Sequence, residues 1–111
     1  MNDLDAARAL DALGNAKRLA IYRLLVRAGD DGLAVGEVQR ALGIPASTLS
    51  HHVAWLGRAG LVTQQRHGRE IRCRADFGVM HALVGYLTDS CCVGVRLAAE
   101  DAATDFAAAP V

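Results

Sequence analysis

The feature that most constrains this chain of 111 residues is the triplet Gly43-Ile44-Pro45, set between two short stretches of helical apolar spacing. Upstream, Val35, Val38 and Leu42 predict a helix over 35–42; downstream, Leu49, Val53 and Leu56 predict a second over 46–59, stopped by Gly60. Glycine admits φ > 0 and proline suits a helix start, so the triplet is a tight turn. Two short helices joined by a glycine-containing turn form a helix-turn-helix.

The flanking segments extend this unit. Leu4, Ala7, Leu10 and Leu13 predict an amphipathic helix over 3–13. After Gly14 and Asn15 a second helix runs to about Ala28, with Ile21, Leu24 and Leu25 on one face and Leu19, Tyr22 and Val26 on the other, as expected of a central buried element. Gly29-Asp30-Asp31-Gly32 breaks it. Leu61–Arg66 and Arg69–Ala75 are expected as strands joined by His67-Gly68, with Ile71, Cys73 and Ala75 inward and Arg72 and Arg74 toward solvent or a ligand. A last helix over 77–90 carries a stripe of Phe77, Met80, Leu83, Val84 and Leu87, fit to pack on the domain or on a second subunit. The order is that of a winged helix-turn-helix: mainly α, about five helices, with a small β-hairpin. Residues 1–92 are expected to form the DNA-binding and dimerisation domain, and alanine-rich 93–111 a flexible tail.

Composition fits one globular domain, at 52% apolar and 22% charged residues. The start Met-Asn-Asp-Leu-Asp lacks the basic, then apolar pattern of a secretory signal, so a cytoplasmic location is expected. The longest apolar stretch, Phe77–Leu87, falls short of the roughly 20 residues of a membrane span. A formal net charge of zero conceals a segregation. Between Arg40 and Arg74 six arginines face one acid, Glu70, while the remaining chain holds six basic and eleven acidic residues. In a symmetric dimer that basic segment is doubled and suits a phosphate backbone.

Projecting 46–59 as a helix puts Ser47, Ser50, His51, Ala54 and Arg58 opposite the apolar face, with Thr48 on its flank. Ser47, Ser50 and His51 can bond phosphates or base edges, and the Thr48 methyl can meet thymine. His52 falls near the apolar face as a half-buried histidine, and Trp55 is expected to pack.

The stretch Ser50-His51-His52-Val53-Ala54-Trp55-Leu56-Gly57-Arg58-Ala59-Gly60-Leu61-Val62, followed by Arg66-His67-Gly68-Arg69, resembles the ArsR/SmtB family of metalloregulatory repressors, with its S-x-H-L-x-x-L-x-x-A-G-L-V run and R-x-G-R wing. Ala16–Tyr22 is similar to the family's P-x-R-L-x-I-L segment, with Ala16 in place of proline. The resemblance implies a homodimer formed by the first and last helices, bound to double-stranded operator DNA at an inverted repeat. It also implies DNA contacts from Ser47, Thr48, Ser50, His51, Arg58, Arg66 and Arg69. Ala54 stands where the family frequently has lysine.

Of the family's ligand positions, the zinc site on the last helix needs a D-x-H and H-x-x-E spacing that Asp76, His81 and Asp89 do not reproduce, and Val35–Leu42 has no cysteine. The adjacent Cys91-Cys92 resembles the inducer site of arsenite-responsive members. Trivalent arsenic or antimony, as arsenite, methylarsenite or antimonite, is thiophilic and suits such a pair. A third sulfur would come from Cys73, from a partner subunit or from a cellular thiol. Oxidation or persulfide sensing by the same pair is the rival reading. A thiol enzyme has little support, since the chain offers no C-x-x-C at a helix start and no cofactor loop.

Overall fold

The computed structural model describes residues 1–97. Five helices and a small sheet follow in the order α1 (Asp3–Leu13), α2 (Ala16–Ala28), β1 (Leu33–Ala34), α3 (Val35–Leu42), α4 (Ala46–Arg58), β2 (Val62–His67), β3 (Glu70–Ala75) and α5 (Phe77–Thr88). Local signals set the ends. Asn2 and Asn15 accept amide hydrogen bonds at the starts of α1 and α2, and Asp76 does so for α5. Gly43 closes α3 in the left-handed region at φ 65°, and Gly60 turns the chain after α4 at φ 80°.

The expected hairpin is part of a three-stranded antiparallel sheet in the order β1-β3-β2. The two-residue β1, too short to show alternation, pairs Leu33 with Cys73 and Ala34 with Arg72. The hairpin turn falls one residue later than expected. His67 pairs with Glu70, so Gly68-Arg69 makes the turn, with Gly68 at φ 64°, and Arg69 leaves the strand for its tip.

The core joins Ile21, Tyr22 and Leu25 of α2, Val38 of α3, Leu49, Val53 and Leu56 of α4, and Leu61, Val62, Cys73 and Leu83. Two helix faces differ from expectation. In α1 the buried residues are Ala6, Ala9 and Ala12, while Leu4 and Leu10 stand exposed. Small side chains let α1 approach α2 and α4 closely, so the large apolar residues are turned outward. In α2, Leu19 is exposed, so the helix is not buried all round. The last helix ends at Thr88, two residues early; of its stripe only Leu83 is buried, Phe77 and Met80 are half-buried, and Val84 and Leu87 are exposed. Of the expected tail, 93–111, residues 93–97 carry no helix or strand and 98–111 lie outside the described residues.

Candidate DNA interface and thiol site

Helix α4 presents Ser47, Ser50, His51 and Arg58 to solvent, with Thr48 half-buried, opposite the buried Leu49, Val53 and Leu56. Its first turn carries no acidic residue and no side-chain cap. The free amides there, beside Ser47 and Thr48, favour an anion such as a backbone phosphate. Arg58 sits at the opposite end, on the last turn next to α1, where it lines a groove with Arg8, Asp11 and Trp55. The candidates therefore split between two ends of one helix.

Trp55 fixes how α4 sits on the domain. The guanidinium of Arg18 lies 3.9 Å from the centre of its ring, and His51 meets that ring edge-on at 6.0 Å. Arg18 is itself buried, donating from Nε to the Ala12 carbonyl at 2.7 Å and from a terminal nitrogen to the Asp11 carbonyl at 3.3 Å. Both carbonyls lie at the C-terminal end of α1, so one arginine ties α1, α2 and α4 together. The helical pattern gave no hint of this, because an arginine on a helix reads as solvated. His52 is half-buried as expected; burial, reinforced by Arg18, His51 and Lys17, pushes its pKa below 6.5.

The wing stands free of the core. Every residue from Thr63 to Glu70 is exposed, including Arg66 on β2 and Arg69 at the tip. The two strands pair along their length while the hairpin's side chains face solvent. Arg72 departs from expectation. It is half-buried, donates to the carbonyls of Asp31 and Gly32 at 3.0 and 3.3 Å, and lies 3.7 Å from Glu70 and 4.0 Å from Glu37. Arg74 is also half-buried. The loop before β1 covers that face of β3, so alternation put these arginines on the right face but not in solvent.

Beyond Thr88 the chain makes successive turns, with hydrogen bonds from Cys91 N to the Thr88 carbonyl and from Val93 N to the Ser90 carbonyl. Ser90 and Cys92 take φ of 55° and 65°. Left-handed backbone at non-glycine residues costs about 1–2 kcal/mol. Its effect here is geometric. Neighbouring side chains on a helix diverge by about 100°, but these turns bring the two Sγ atoms to 3.1 Å, both exposed. The contact between the thiols raises the pKa of Cys91. Cys73 is fully buried in mid-β3 within the core, and burial raises its pKa as well. The structure thus brings Cys91 and Cys92 together and keeps Cys73 away from solvent.

Large apolar side chains stand exposed on the first and last helices. Leu4 and Leu10 of α1 and Val84 and Leu87 of α5 are exposed, and the Tyr86 hydroxyl donates to the Asp3 carboxylate between the two helices. Among the described residues no helix is long and apolar enough to cross a membrane.

A family described as a helix-turn-helix domain matches residues 13–65. The transcriptional activator HlyU of Vibrio cholerae is 37% identical over 70 residues, which are 63% of this chain and 62% of HlyU. The regulator YgaV of Escherichia coli is 32% identical over 87 residues, 78% of this chain and 86% of YgaV. ArsR of Halobacterium salinarum, named as a repressor of an arsenical resistance operon, is 40% identical over 60 residues, 54% of this chain and 46% of its own. Among solved structures, the homodimeric winged helix-turn-helix DNA-binding domain of Mb0332 from Mycobacterium bovis superposes with a TM-score of 0.61 at 32% identity, covering 77% of this chain and 79% of that one.

Proposed function

The chain belongs to the ArsR/SmtB family of winged-helix transcriptional regulators, and from that premise we propose that it is a cytoplasmic, homodimeric repressor released from its operator by trivalent arsenic or antimony. The observation that carries this reading is the pair of exposed thiols of Cys91 and Cys92, 3.1 Å apart at the end of α5. The homodimer of Mb0332 supports a dimer, and the exposed Leu4, Leu10, Val84 and Leu87 of α1 and α5 support those helices as its interface. Each protomer then offers one inverted half-site the α4 residues Ser47, Thr48, Ser50 and His51, with Arg58, Arg66 and Arg69 on phosphates.

Arsenous acid condenses with the two thiols: two As–S bonds form, two As–O bonds break, each thiol proton leaves with a hydroxide as water, and one hydroxyl stays on arsenic. Methylarsenite retains its methyl group instead and is then saturated. Water rather than a free proton is released, so the raised pKa of Cys91 is no obstacle. The burial of Cys73 supports a site made of this pair alone, any third ligand coming from outside the protomer. In this reading the strained backbone at Cys92 relaxes once arsenic bridges the two sulfurs. That adjustment reaches the dimer face through Thr88, whose carbonyl holds Cys91 and whose hydroxyl bonds Val84. A coupling of about 1–3 kcal/mol suffices for release.

Intact-protein mass spectrometry under reducing conditions tests the site. Methylarsenite should add once per protomer and protect two thiols from alkylation, in wild type and in Cys73→Ala alike. Cys91→Ser and Cys92→Ser should each abolish the stable adduct; adducts that persist in both would remove the pair as the site. The same 3.1 Å spacing favours a second reading, oxidation of the pair to a disulfide by a peroxide, or sulfur transfer from a polysulfide to give a persulfide, distinguished by release with a peroxide or a polysulfide and not with an arsenical.

A further inference from the structure

A groove of about 530 Å³ lies between the start of α3 and the tip of the wing, lined by Val35, Gly36, Glu37, Arg40, Arg69 and Glu70 among others. Its four charged side chains are not equivalent. Glu37 accepts the Ala34 amide at 2.9 Å, and both Glu37 and Glu70 lie within 4.0 Å of Arg72. Arg72 in turn is anchored on the Asp31 and Gly32 carbonyls. The two acids are therefore held to a third arginine, which leaves Arg40 and Arg69 as the charges that face the groove without an acidic partner among the described residues. Arg40 is exposed, and its side chain runs back along α3 so that a guanidinium nitrogen lies over Gly36, 3.5 Å from where a Cβ would stand.

The position of the groove says what it meets. In a winged helix-turn-helix the recognition helix enters the major groove and the wing lies against the adjacent backbone or minor groove. The first helix of the motif, here α3, crosses the DNA backbone, so the strand that separates those two grooves passes between α3 and the wing. We infer that this groove seats a phosphodiester of that strand, gripped by Arg40 from α3 and Arg69 from the wing tip. The inference rests on the DNA-binding reading above and adds to it a contact outside α4 and the wing. The guanidinium pair offers several N–H donors at fixed angles, suited to a phosphate's oxygens and blind to base sequence.

The test is a salt titration of DNA binding by fluorescence anisotropy, on DNA from upstream of the gene and on unrelated DNA, comparing wild type, Arg40→Ala, Arg40→Lys and the control Arg27→Ala on the exposed side of α2. Losing one phosphate contact per protomer lowers the slope of log K against log salt by about 0.9 and the affinity by about fivefold per protomer at 0.15 M salt. Arg40→Ala should do so equally on both DNAs with its Tm unchanged, Arg40→Lys should restore most of the slope, and Arg27→Ala should match wild type. Combining Arg40→Ala with Arg69→Ala should cost less than the sum of the two, because both grip one phosphate. A wild-type slope in Arg40→Ala, or strict additivity with Arg69→Ala, overturns the shared seat while leaving the repressor reading intact. Failure of wild type itself to bind DNA would instead remove that reading.

Discussion

The guanidinium of Arg18 lies 3.9 Å from the centre of the Trp55 ring, stacking a buried charge of α2 on α4. The same side chain bonds the last carbonyls of α1. Arg18→Ala therefore loses a cation–π contact and strands a buried carbonyl, and is expected to destabilise the fold by about 2–4 kcal/mol in urea or guanidinium unfolding. Arg18→Lys should recover only part, since an ammonium cannot stack and bond in the same planar fork.

Gly32 has no room for a side chain. At φ 62°, an added Cβ would stand 2.1 Å from the Cys73 carbonyl oxygen and 2.6 Å from Cγ of Arg74. Relief would require β1 to separate from β3. Gly32→Ala is expected to cost at least about 3 kcal/mol or to prevent folding, read by circular dichroism melts. Gly29→Ala, at φ 80° and ψ −159° with open space around it, should cost about 1–3 kcal/mol from backbone strain alone.

Much of this architecture was legible in the sequence, and the exceptions share a cause. Gly43 and Gly60 sit where only glycine is comfortable, so the helix-turn-helix could be read directly. The wing turn slipped by one residue because His67-Gly68 and Gly68-Arg69 both satisfy the local rule, and only cross-strand pairing chooses. In α1 the leucines dominate the periodic pattern, yet the alanines are buried, because close helix approach rewards small residues. Alternation assigned Arg72 to a face without showing that a loop covers it. The vicinal cysteines were plain in the sequence, but the left-handed Ser90 and Cys92 that align their sulfurs were not, since neither residue signals that conformation.

His52 makes the fold sensitive to mild acid. Its folded-state pKa lies below the unfolded value of 6.5, so the unfolded chain takes up the proton first as pH falls. The contribution is neutral above pH 6.5 and destabilising below it, levelling once the folded state is protonated too. Denaturation midpoints should decline from pH 7 to 5.5 in wild type and decline less in His52→Gln.

The apolar face of α1 and α5 should carry the dimer. A carboxylate at Leu87, exposed in the single chain, would be desolvated in the interface. Leu87→Glu is expected to sediment as a folded monomer and to lose at least tenfold in affinity for the two-half-site operator; a stable dimer would place the interface elsewhere.

The central claim, that Cys91 and Cys92 switch DNA binding, is tested most directly by fluorescence anisotropy on labelled upstream DNA with all thiols reduced. Arsenite, methylarsenite and zinc are titrated separately against wild type and the Cys91→Ser/Cys92→Ser double variant. Wild type should leave the DNA with either arsenical and not with zinc, while the double variant binds equally well and stays bound. Release of the double variant by arsenite, or tight wild-type binding unmoved by both arsenicals, would contradict the account.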